Sequence, residues 1–416
     1  MTAPFIAFVE SNMTGTGMQA LRLAHDRGLR IAFLTSDLRK YDSDPDAART
    51  IRSLADEIAE CDTNSPEAME KALRDLPGLV GGLMTVMEYF VPVAAATARR
   101  MGLPGLDPAA AAIARDKGTA RTVCQDHGVP VPRFRFVGSL EVLDEVLDEV
   151  GLPCVVKPVD ESASIGVTLC RTRQQAYDRL AELIDSRANS KGQQRVPGGL
   201  VEECLFGHEV SVETFTHGGR TVVLGVTDKL LGPVPHFVEL GHTFPSGLPE
   251  ERSGAAARVA LAALEAVGFD FGPAHVEVKL TARGPVLIEI NARAGGDFVP
   301  DLVRHATGVG LLEQTIIAAT GGTPQLQPSR QRGAAIRFLA GRAGVVAEVP
   351  DTTVLDRFPT VVASRVKAVV GQRTTWPANS HERLGYVLTS AETAYQAAVD
   401  ADAAAAQLAV SYEPEP

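Results

Sequence analysis

Apolar residues recur along the chain with two periods, one typical of strands and the other of helices. The stretch PFIAFVESNMTGTGMQALRLAHDRGLRIAFLTSD alternates as a strand, a glycine-bearing turn, an amphipathic helix and a second strand. This order is typical of a βαβ unit, whose strands are parallel. A further strand near residues 79–85 and an alanine-rich helix around residues 92–101 repeat the alternation. Residues 1–112 therefore predict an α/β domain.

The remainder of the chain divides by the same patterns into three parts. Over residues 113–200, a helix near 116–127 precedes two strands, VPRFRFVGS and LPCVVKPV, which flank the amphipathic helix LEVLDEVLDEV. Over residues 201–325, paired strands surround a helix at 254–267 and include AHVEVKLTARGPVLIEINARAGG. Residues 326–416 combine alternating stretches with an alanine-rich acidic end, which predicts an α+β extension.

Composition narrows the class of protein and its partners. The 416 residues are 45% hydrophobic and 22% charged, as in globular proteins. The net charge of −11 opposes binding to nucleic acid or to anionic membranes. No apolar run approaches the ~20 residues of a membrane span, and the start lacks a secretory signal pattern. We expect a cytoplasmic protein without nucleic-acid or membrane partners, whose five cysteines, lacking any CxxC pair, are buried thiols.

The strands AHVEVKL and VLIEINARAGG each have one apolar and one polar face. If their loop is symmetric about Arg283, Glu277 faces Glu289 across the pair, with Asn291 on the same face. Facing carboxylates destabilise a sheet unless a cation lies between them, and with an amide oxygen they suit Mg²⁺. The alternative is a solvent-facing polar hairpin. Arg293 continues this face before a Gly-Gly turn and favours a metal-bound phosphate.

Other candidate residues are individually weaker. Lys157 ends the apolar strand CVVKP, where it needs an anionic partner unless it reaches solvent. The following DESASIGV is small and polar, as in loops that close over phosphates. Lys117 begins a helix and is a weaker candidate still, because a lysine at such a position is more commonly just exposed to solvent. In LVEECLFGHEVSVE, strand backbone groups could meet an adenine, and Glu209 could accept from ribose hydroxyls.

Five segments of the chain resemble, in their order and spacing, the ATP-grasp superfamily of carboxylate–amine ligases. The resemblance covers about residues 1–340. The segments are ARDKGTAR, VVKPVDESASIGV, VEECLFGHEVSVE, HVEVKL and EINARAGG. HFVELGHTFPSGLP and the long C-terminal region are most similar to the bacterial L-amino acid ligases, the bacilysin-type dipeptide synthetases. The resemblance implies an α/β ATP-grasp fold: an N-terminal Rossmann-like pre-ATP-grasp domain, a mobile lid over 113–200, a core with the metal hairpin over 201–325 and the C-terminal α+β extension.

The resemblance also implies roles for residues at matching positions. The ATP-binding set is Lys117, Lys157, Ser162, Ser164, Gly166, Glu202, Glu203, Cys204 and Glu209. The metal set, for two Mg²⁺ ions that Mn²⁺ can replace, is Glu277, Glu289 and Asn291. The substrate-binding set is Glu239, His242, Arg293, Gly295, Gly296 and Asp297, in which the ExxH pair matches the amino-acid-binding loop. Arg293 and Lys157 are the catalytic pair.

The implied reaction joins a small-molecule carboxylate to an amine through an acylphosphate, giving ADP and phosphate. Its partners are those small molecules, and a homodimer is allowed. Two alternatives stay open at this stage: a ligase for an unusual carboxylate in natural-product biosynthesis, and a nucleotide-binding regulatory protein without turnover. The general base is unassigned, with His242 and Glu239 as candidates.

Three further features of the sequence allow alternative interpretations or point to further ligand contacts. The turn at residues 14–17 is a tight strand-to-helix turn, a loop facing substrate or lid, or, with poor spacing, a dinucleotide fingerprint. Glu88 and Tyr89 follow a strand at the edge where α/β sheets place ligands. Asp297 either lines the amine pocket, where it would favour basic or polar amines, or caps a helix beginning near Phe298.

Overall fold

The computed structural model describes residues 3–13, 15–233 and 237–413. Its N-terminal domain is an α/β layer. The elements are β1 (Phe5–Val9), α1 (Thr16–Asp26), β2 (Arg30–Thr35), α2 (Pro45–Leu54), β3 (Glu57–Glu60), α3 (Pro66–Arg74), β4 (Val80–Met84) and α4 (Val91–Met101). The strand order is β3-β2-β1-β4, and every neighbouring pair is parallel. The predicted βαβ unit is confirmed.

Two helices, α5 (Pro108–Arg115) and α6 (Lys117–Asp126), lead into a small antiparallel unit that we call the lid. Its elements are β5 (Phe134–Val137), α7 (Leu143–Val150), β6 (Cys154–Lys157), β7 (Thr168–Cys170), α8 (Arg173–Asp185) and β8 (Gly199–Glu203). The strand order is β5-β8-β6-β7. Along β6, Cys154 and Val156 pack into a core with the two helices, whereas Val155 and Lys157 line a cavity on the other face.

Most of the remaining strands form one sheet of eight in the order β13-β12-β9-β10-β11-β14-β18-β16, and β17-β15-β19 form a separate small sheet. The elements of this part of the chain before residue 325 are β9 (His208–His217), β10 (Arg220–Leu231), β11 (Glu239–Phe244), α9 (Glu250–Ala266), β12 (Gly272–Thr281), β13 (Gly284–Asn291), α10 (Val299–Thr307) and α11 (Leu311–Ala319). Those after it are β14 (Gly333–Leu339), β15 (Gly344–Glu348), β16 (Val361–Val366), β17 (Arg373–Thr374), β18 (Gly385–Ala391), α12 (Ala394–Gln407) and β19 (Ser411–Tyr412). The C-terminal extension thus continues the core sheet.

Apolar packing fixes the parts to one another. Ile6 and Phe8 of β1 share a buried cluster with α1 and with Ile316 of α11, so a helix of the core covers one face of the N-terminal sheet. The other face buries Phe5 and Val9 against α3 and α4. This arrangement leaves the carboxyl ends of the N-terminal strands directed towards the large sheet and the lid, where the cavity lies.

Two expectations from the composition, on membrane spans and on the cysteines, can be compared with this fold. Among the described residues, none of the helices has the length and apolar composition of a membrane span. The five cysteines are free thiols; Cys124, Cys154 and Cys170 are buried, whereas Cys61 and Cys204 are half-buried. The expectation of buried thiols is therefore correct for three of the five.

Candidate active site

A cavity of about 570 Å³ is lined by residues of the N-terminal domain, the lid, the large sheet and the C-terminal extension. Of the predicted site residues, all but Gly166 and Gly295 lie on its wall. The Gly166 carbonyl instead accepts hydrogen bonds from Arg179 of α8. A Cβ at Gly295 would come within 2.8 Å of Nδ1 of His275, so this glycine allows the turn to pack closely against His275.

The hairpin β12–β13 has the predicted pairing at its functional end and a different one at its turn. Glu277 lies opposite Glu289, and His275 opposite Asn291. The turn, however, is centred between Ala282 and Arg283, because Thr281 pairs with Gly284. A bulge after Glu277 shifts the register by one residue. The premise of symmetry about Arg283 is wrong, and the bulge restores the facing glutamates.

Each of the facing glutamates has a lysine partner. Nζ of Lys117 lies 2.8 Å from Oε1 of Glu289. Nζ of Lys229 lies 2.8 Å from Oε1 of Glu277 and also 2.8 Å from Glu209. Burial raises the pKa of Glu277, but Lys229 and His275 outweigh it and hold that pKa well below its ordinary value. Glu277 therefore stays ionised.

His275 fixes Glu277 from behind. Its Nδ1 lies 3.0 Å from Oε2 of the buried Glu213, and its Nε2 lies 3.4 Å from Oε1 of Glu277. Ser211 and Thr227 donate hydrogen bonds to Glu213. Burial alone would lower the pKa of His275, but the two carboxylates raise it to about 9. The ring is therefore cationic at neutral pH and ties Glu277 to the core of the sheet.

Lys157 has the anionic partner that its buried position requires. Its Nζ lies 2.6 Å from Oε2 of Glu202 on the neighbouring strand β8. Burial lowers the pKa of Lys157, and Arg121 adds to this, whereas Glu202 opposes it. Arg121 donates to the same carboxylate at 2.7 Å and also to the carbonyl of Ile288, at the bulge of the hairpin. Arg121 thus connects the lid strand β8 to the hairpin β12–β13.

Arg293 is held by Glu88, which follows the last N-terminal strand. Oε2 of Glu88 accepts from Nη2 of Arg293 at 2.9 Å and from the Ser162 hydroxyl at 2.8 Å. Oε1 accepts from Arg115 at 3.1 Å. Burial would raise the pKa of Glu88, but Arg293, Lys117 and Arg115 lower it to about 2. One carboxylate thus joins the N-terminal domain, the lid loop and the candidate catalytic arginine.

The lid loop at residues 160–166 is anchored at its beginning. The carboxylate of Glu161 accepts from Tyr89, from Arg195 and from the backbone and hydroxyl of Ser190. Beyond this anchor, Ala163 and Ser164 have left-handed backbone, with φ of 56° and 59°. The predicted residues Ser162 and Ser164 line the cavity here. Tyr89 therefore serves the loop rather than lying on the cavity wall.

The substrate-binding set differs from expectation in two respects. Glu239 and His242 lie on strand β11, not on a loop, because they continue the sheet between β10 and β14. Asp297 does not cap α10: Phe298 occupies the N-cap position with left-handed backbone and no side-chain cap. Instead Asp297 is bound by both terminal nitrogens of Arg383, at 2.7 Å and 2.5 Å. The cap alternative is wrong, and the cation next to Asp297 comes from the protein itself.

The glycine-bearing N-terminal turn also reaches the cavity. Asn12, Gly15 and Thr16 are on its wall, and Thr14 lies outside the described residues. Oδ1 of Asn12 accepts from the backbone of Gly17 at 2.8 Å. A Cβ at Gly17 would approach Oγ of Ser11 to 2.0 Å, so glycine is required there. The turn is both tight and cavity-facing.

Several residues of the site were not among the predicted ones, although Arg115, Arg121 and Glu161 lie within the segments ARDKGTAR and VVKPVDESASIGV. Arg115 pairs with Glu88, Arg121 with Glu202, Lys229 with Glu277 and Arg383 with Asp297, whereas Glu161 pairs with Arg195. The only available signal was chemical: a charged residue within an apolar strand or helix needs a partner. That signal says that a partner exists but not which residue it is.

Comparisons with known proteins show what this chain is similar to. The protein-family model of the ATP-grasp domain matches residues 150–301, and the family model of the L-amino acid ligase C-terminal domain 2 matches residues 337–413. Protein y4rH of Sinorhizobium fredii is 32% identical over 354 residues, covering 83% of this chain and 72% of that protein. Alanine–anticapsin ligase of Bacillus subtilis is 30% identical over 237 residues, covering 53% of this chain and 50% of that ligase. The match therefore spans about half the length of that relative.

The fold extends over the whole chain. A crystal structure of an L-amino acid ligase from Bacillus licheniformis aligns with a TM-score of 0.80 at 21% identity, over 99% of both chains. At that identity the likeness establishes the architecture, and the α/β ATP-grasp fold expected from the motifs is confirmed. The chain belongs to the ATP-grasp superfamily of carboxylate–amine ligases and carries the C-terminal domain of the L-amino acid ligases.

Proposed function

We propose that this chain joins the carboxylate of one small molecule to the amine of another, with ATP converted to ADP and phosphate. The observation that carries the proposal is Arg293, which lines the same cavity as the paired glutamates and is held there by Glu88. A site that only bound nucleotide would not need a guanidinium fixed next to a metal hairpin. An amino acid is the carboxylate that we favour, because the C-terminal domain is of the L-amino acid ligase type.

The hairpin fits Mg²⁺. It presents the oxygens of Glu277, Glu289 and Asn291 on one face, and these are the hard donors that Mg²⁺ prefers. Within the described residues there is no group of three or more His, Cys, Asp or Glu side chains arranged for a metal. Two carboxylates agree with a metal that takes its remaining oxygens from phosphates and water. Two ions, or Mn²⁺ in their place, belong to this proposal; bound there, they would neutralise phosphate charge.

The side chains of the site have distinct tasks in the first step. A carboxylate must approach the γ-phosphate of ATP, bringing two anions together. Lys117 and Lys157 would exchange their present partners, Glu289 and Glu202, for phosphate oxygens. The backbone of Glu203 and Cys204 would meet the adenine, and Glu209 the ribose. The product of this step is an acylphosphate.

In the second step an amine attacks the acyl carbon and phosphate leaves. Arg293 would stabilise the oxyanion of the tetrahedral intermediate, because its guanidinium is already fixed by Glu88. The amine must lose a proton. Of the two candidate bases, Glu239 is engaged by Lys229 and by Ser380, and the atom of His242 that has no hydrogen-bond partner among the described residues, Nδ1, is buried. Both residues therefore stay candidates for the proton acceptor.

The test is product analysis. The protein with ATP, Mg²⁺ and a pooled panel of amino acids and other small carboxylates and amines should release ADP and phosphate and form amides visible by mass spectrometry. Stoichiometric AMP would contradict the γ-phosphoryl step. No stimulation by any member of the panel would favour a regulatory nucleotide-binding protein. A homodimer and a cytoplasmic location remain predictions from the sequence.

A further inference from the structure

Three cations of the C-terminal extension line the cavity, and we call them the basic wall: Arg365, Lys367 and Arg383. Arg365 lies on β16, Lys367 directly follows that strand, and Arg383 precedes β18. These strands are the last two of the eight-stranded sheet, beyond β11 and β14 when counted from the hairpin. The basic wall therefore lies on the far side of Glu239 and His242 from the metal hairpin.

The acidic groups on this side of the cavity are already paired. Asp297 is bound through both oxygens by Arg383. Asp301 accepts from Gln19 at 3.1 Å and from Arg304 at 3.3 Å. Arg383 is consequently neutralised, so that two positive charges of the basic wall have no carboxylate of their own.

Arg365 and Lys367 have no ion-pair partner within the part of the chain that the structure describes. Partial desolvation at the cavity wall lowers the pKa of Lys367, and the charges of Arg383 and Arg365 lower it further. Cations that repel one another at a cavity wall are stabilised when an anion enters between them. A carboxylate matches this need, since it can accept from a guanidinium and an ammonium together.

We propose that the basic wall binds an anionic group on the amine substrate, so that the preferred acceptor is an amine with an acidic side chain, such as an acidic amino acid. This inference rests on the proposed function and names its second substrate. It replaces the preference for basic amines expected from Asp297, because Arg383 already supplies that cation. A basic acceptor would instead add a third unpaired positive charge.

The experiment compares glutamate with glutamine as acceptors, because the two have the same shape and differ in charge. In the wild type we expect kcat/KM to favour glutamate at least tenfold. The double variant Arg365→Gln/Lys367→Gln should lower that ratio at least tenfold, with a much smaller change for glutamine. Both positions are exposed, so the fold should be retained. Arg373→Gln, an exposed arginine of β17 outside the cavity, is the matched control and should keep the wild-type ratio.

The outcomes separate this inference from the proposed function. Amide products with a glutamate-to-glutamine ratio near one would overturn the acidic preference and leave the ligase intact. The same conclusion follows if the double variant keeps the wild-type ratio, as it would if the basic wall held only the α-carboxylate common to both acceptors. Absence of amide products with every amine would remove the ligase proposal and this inference with it.

Discussion

The two ends of the cavity handle positive charge differently. At the hairpin end, every lysine on the wall has a carboxylate within hydrogen-bond distance: Lys117 is paired with Glu289, and Lys157 with Glu202. At the basic wall, Arg365 and Lys367 have no such partner among the described residues. The protein thus neutralises its own cations at one end and leaves two uncompensated at the other.

This difference separates two tasks. Paired cations are held in place before any ligand arrives, which suits a step whose geometry must be fixed in advance. A ligand there must also displace the carboxylates that already pair with these lysines, so the loss of those ion pairs offsets part of its interaction energy. Unpaired cations offer their full charge to an incoming group and so distinguish substrates. We infer that the hairpin end determines the reaction, whereas the basic wall determines its acceptor.

The hairpin end can be tested most severely by removing a charge from it. Glu289→Gln or Arg293→Ala should lower kcat/KM for ADP release about 10³-fold, as for the loss of a transition-state donor. Neither change removes core volume, so circular dichroism should be unaltered. Glu265→Gln, on the exposed face of α9, should retain wild-type turnover. Near-wild-type turnover in either site variant would remove the hairpin from the mechanism.

Glu88 allows the pairing itself to be tested through stability. Glu88→Gln leaves Arg293 and Arg115 without their shared anion and should lower the free energy of unfolding by about 3 kcal/mol at pH 7. The pKa of Glu88 is about 2, below the ordinary 4.5, so its contribution is present above pH 4.5 and is lost as the pH falls towards 2.

Urea denaturation of Glu88→Gln and wild type at pH 7 and at pH 3 measures this window. The difference between the two proteins should shrink at the lower pH. Glu149→Gln, which removes a half-exposed partner of Arg135, should show little difference at either pH. A difference that grew on acidification would show that the Glu88 carboxylate is not stabilised by its arginines.

Asp297 tests the boundary between the two ends. Asp297→Asn keeps the shape but weakens the two bonds to Arg383, and should lower the free energy of unfolding by about 1.5–3 kcal/mol. The substitution also leaves the charge of Arg383 without its partner, so kcat/KM for acidic acceptors should not fall relative to kcat/KM for basic ones. Asp402→Asn, an exposed partner of Arg337, is the control for stability. An increase in kcat/KM for basic acceptors relative to acidic ones would contradict the conclusion that Asp297 serves as the partner of Arg383.

The lid should give a smaller, local response. MgADP should slow hydrogen exchange mainly at residues 162–166, because Glu161 already anchors the start of the loop to Tyr89 and Arg195. Helix α7, on the far face of the lid sheet, should exchange at the same rate with and without nucleotide. Uniform protection of the whole lid would show that it moves as one rigid unit rather than at this loop.

Much of the fold follows from local patterns. Periodicity and turn residues predicted the βαβ unit, the lid helix and the hairpin, since each of these uses contacts close in sequence. The facing of Glu277 and Glu289 was also predictable, although the bulge that secures it was not. At the bulge the Ile288 carbonyl accepts a hydrogen bond from Arg121, which lies outside the hairpin. No pattern within the hairpin contains that information.

The pairings across the cavity could not be predicted for the same reason. Arg383 lies 86 residues from Asp297 along the chain, and Glu88 lies 205 residues from Arg293. A side chain's need for a counter-ion is visible in the sequence, but its partner depends on how four parts of the chain assemble. The error over Asp297 has this origin: the sequence showed a carboxylate in a closed site, and the protein met its charge internally.

The continuous sheet also has a consequence for how the protein can be cut. The two family matches end and begin at residues 301 and 337, which invites separate expression of the two parts. Removal of everything after residue 325 would strip β14 from β11, where Gly241–Phe244 pair with Ala334–Arg337. The edge so exposed carries unpaired backbone groups, and such edges template aggregation. The C-terminal extension is therefore no exchangeable module, and shortened forms should precipitate rather than fold.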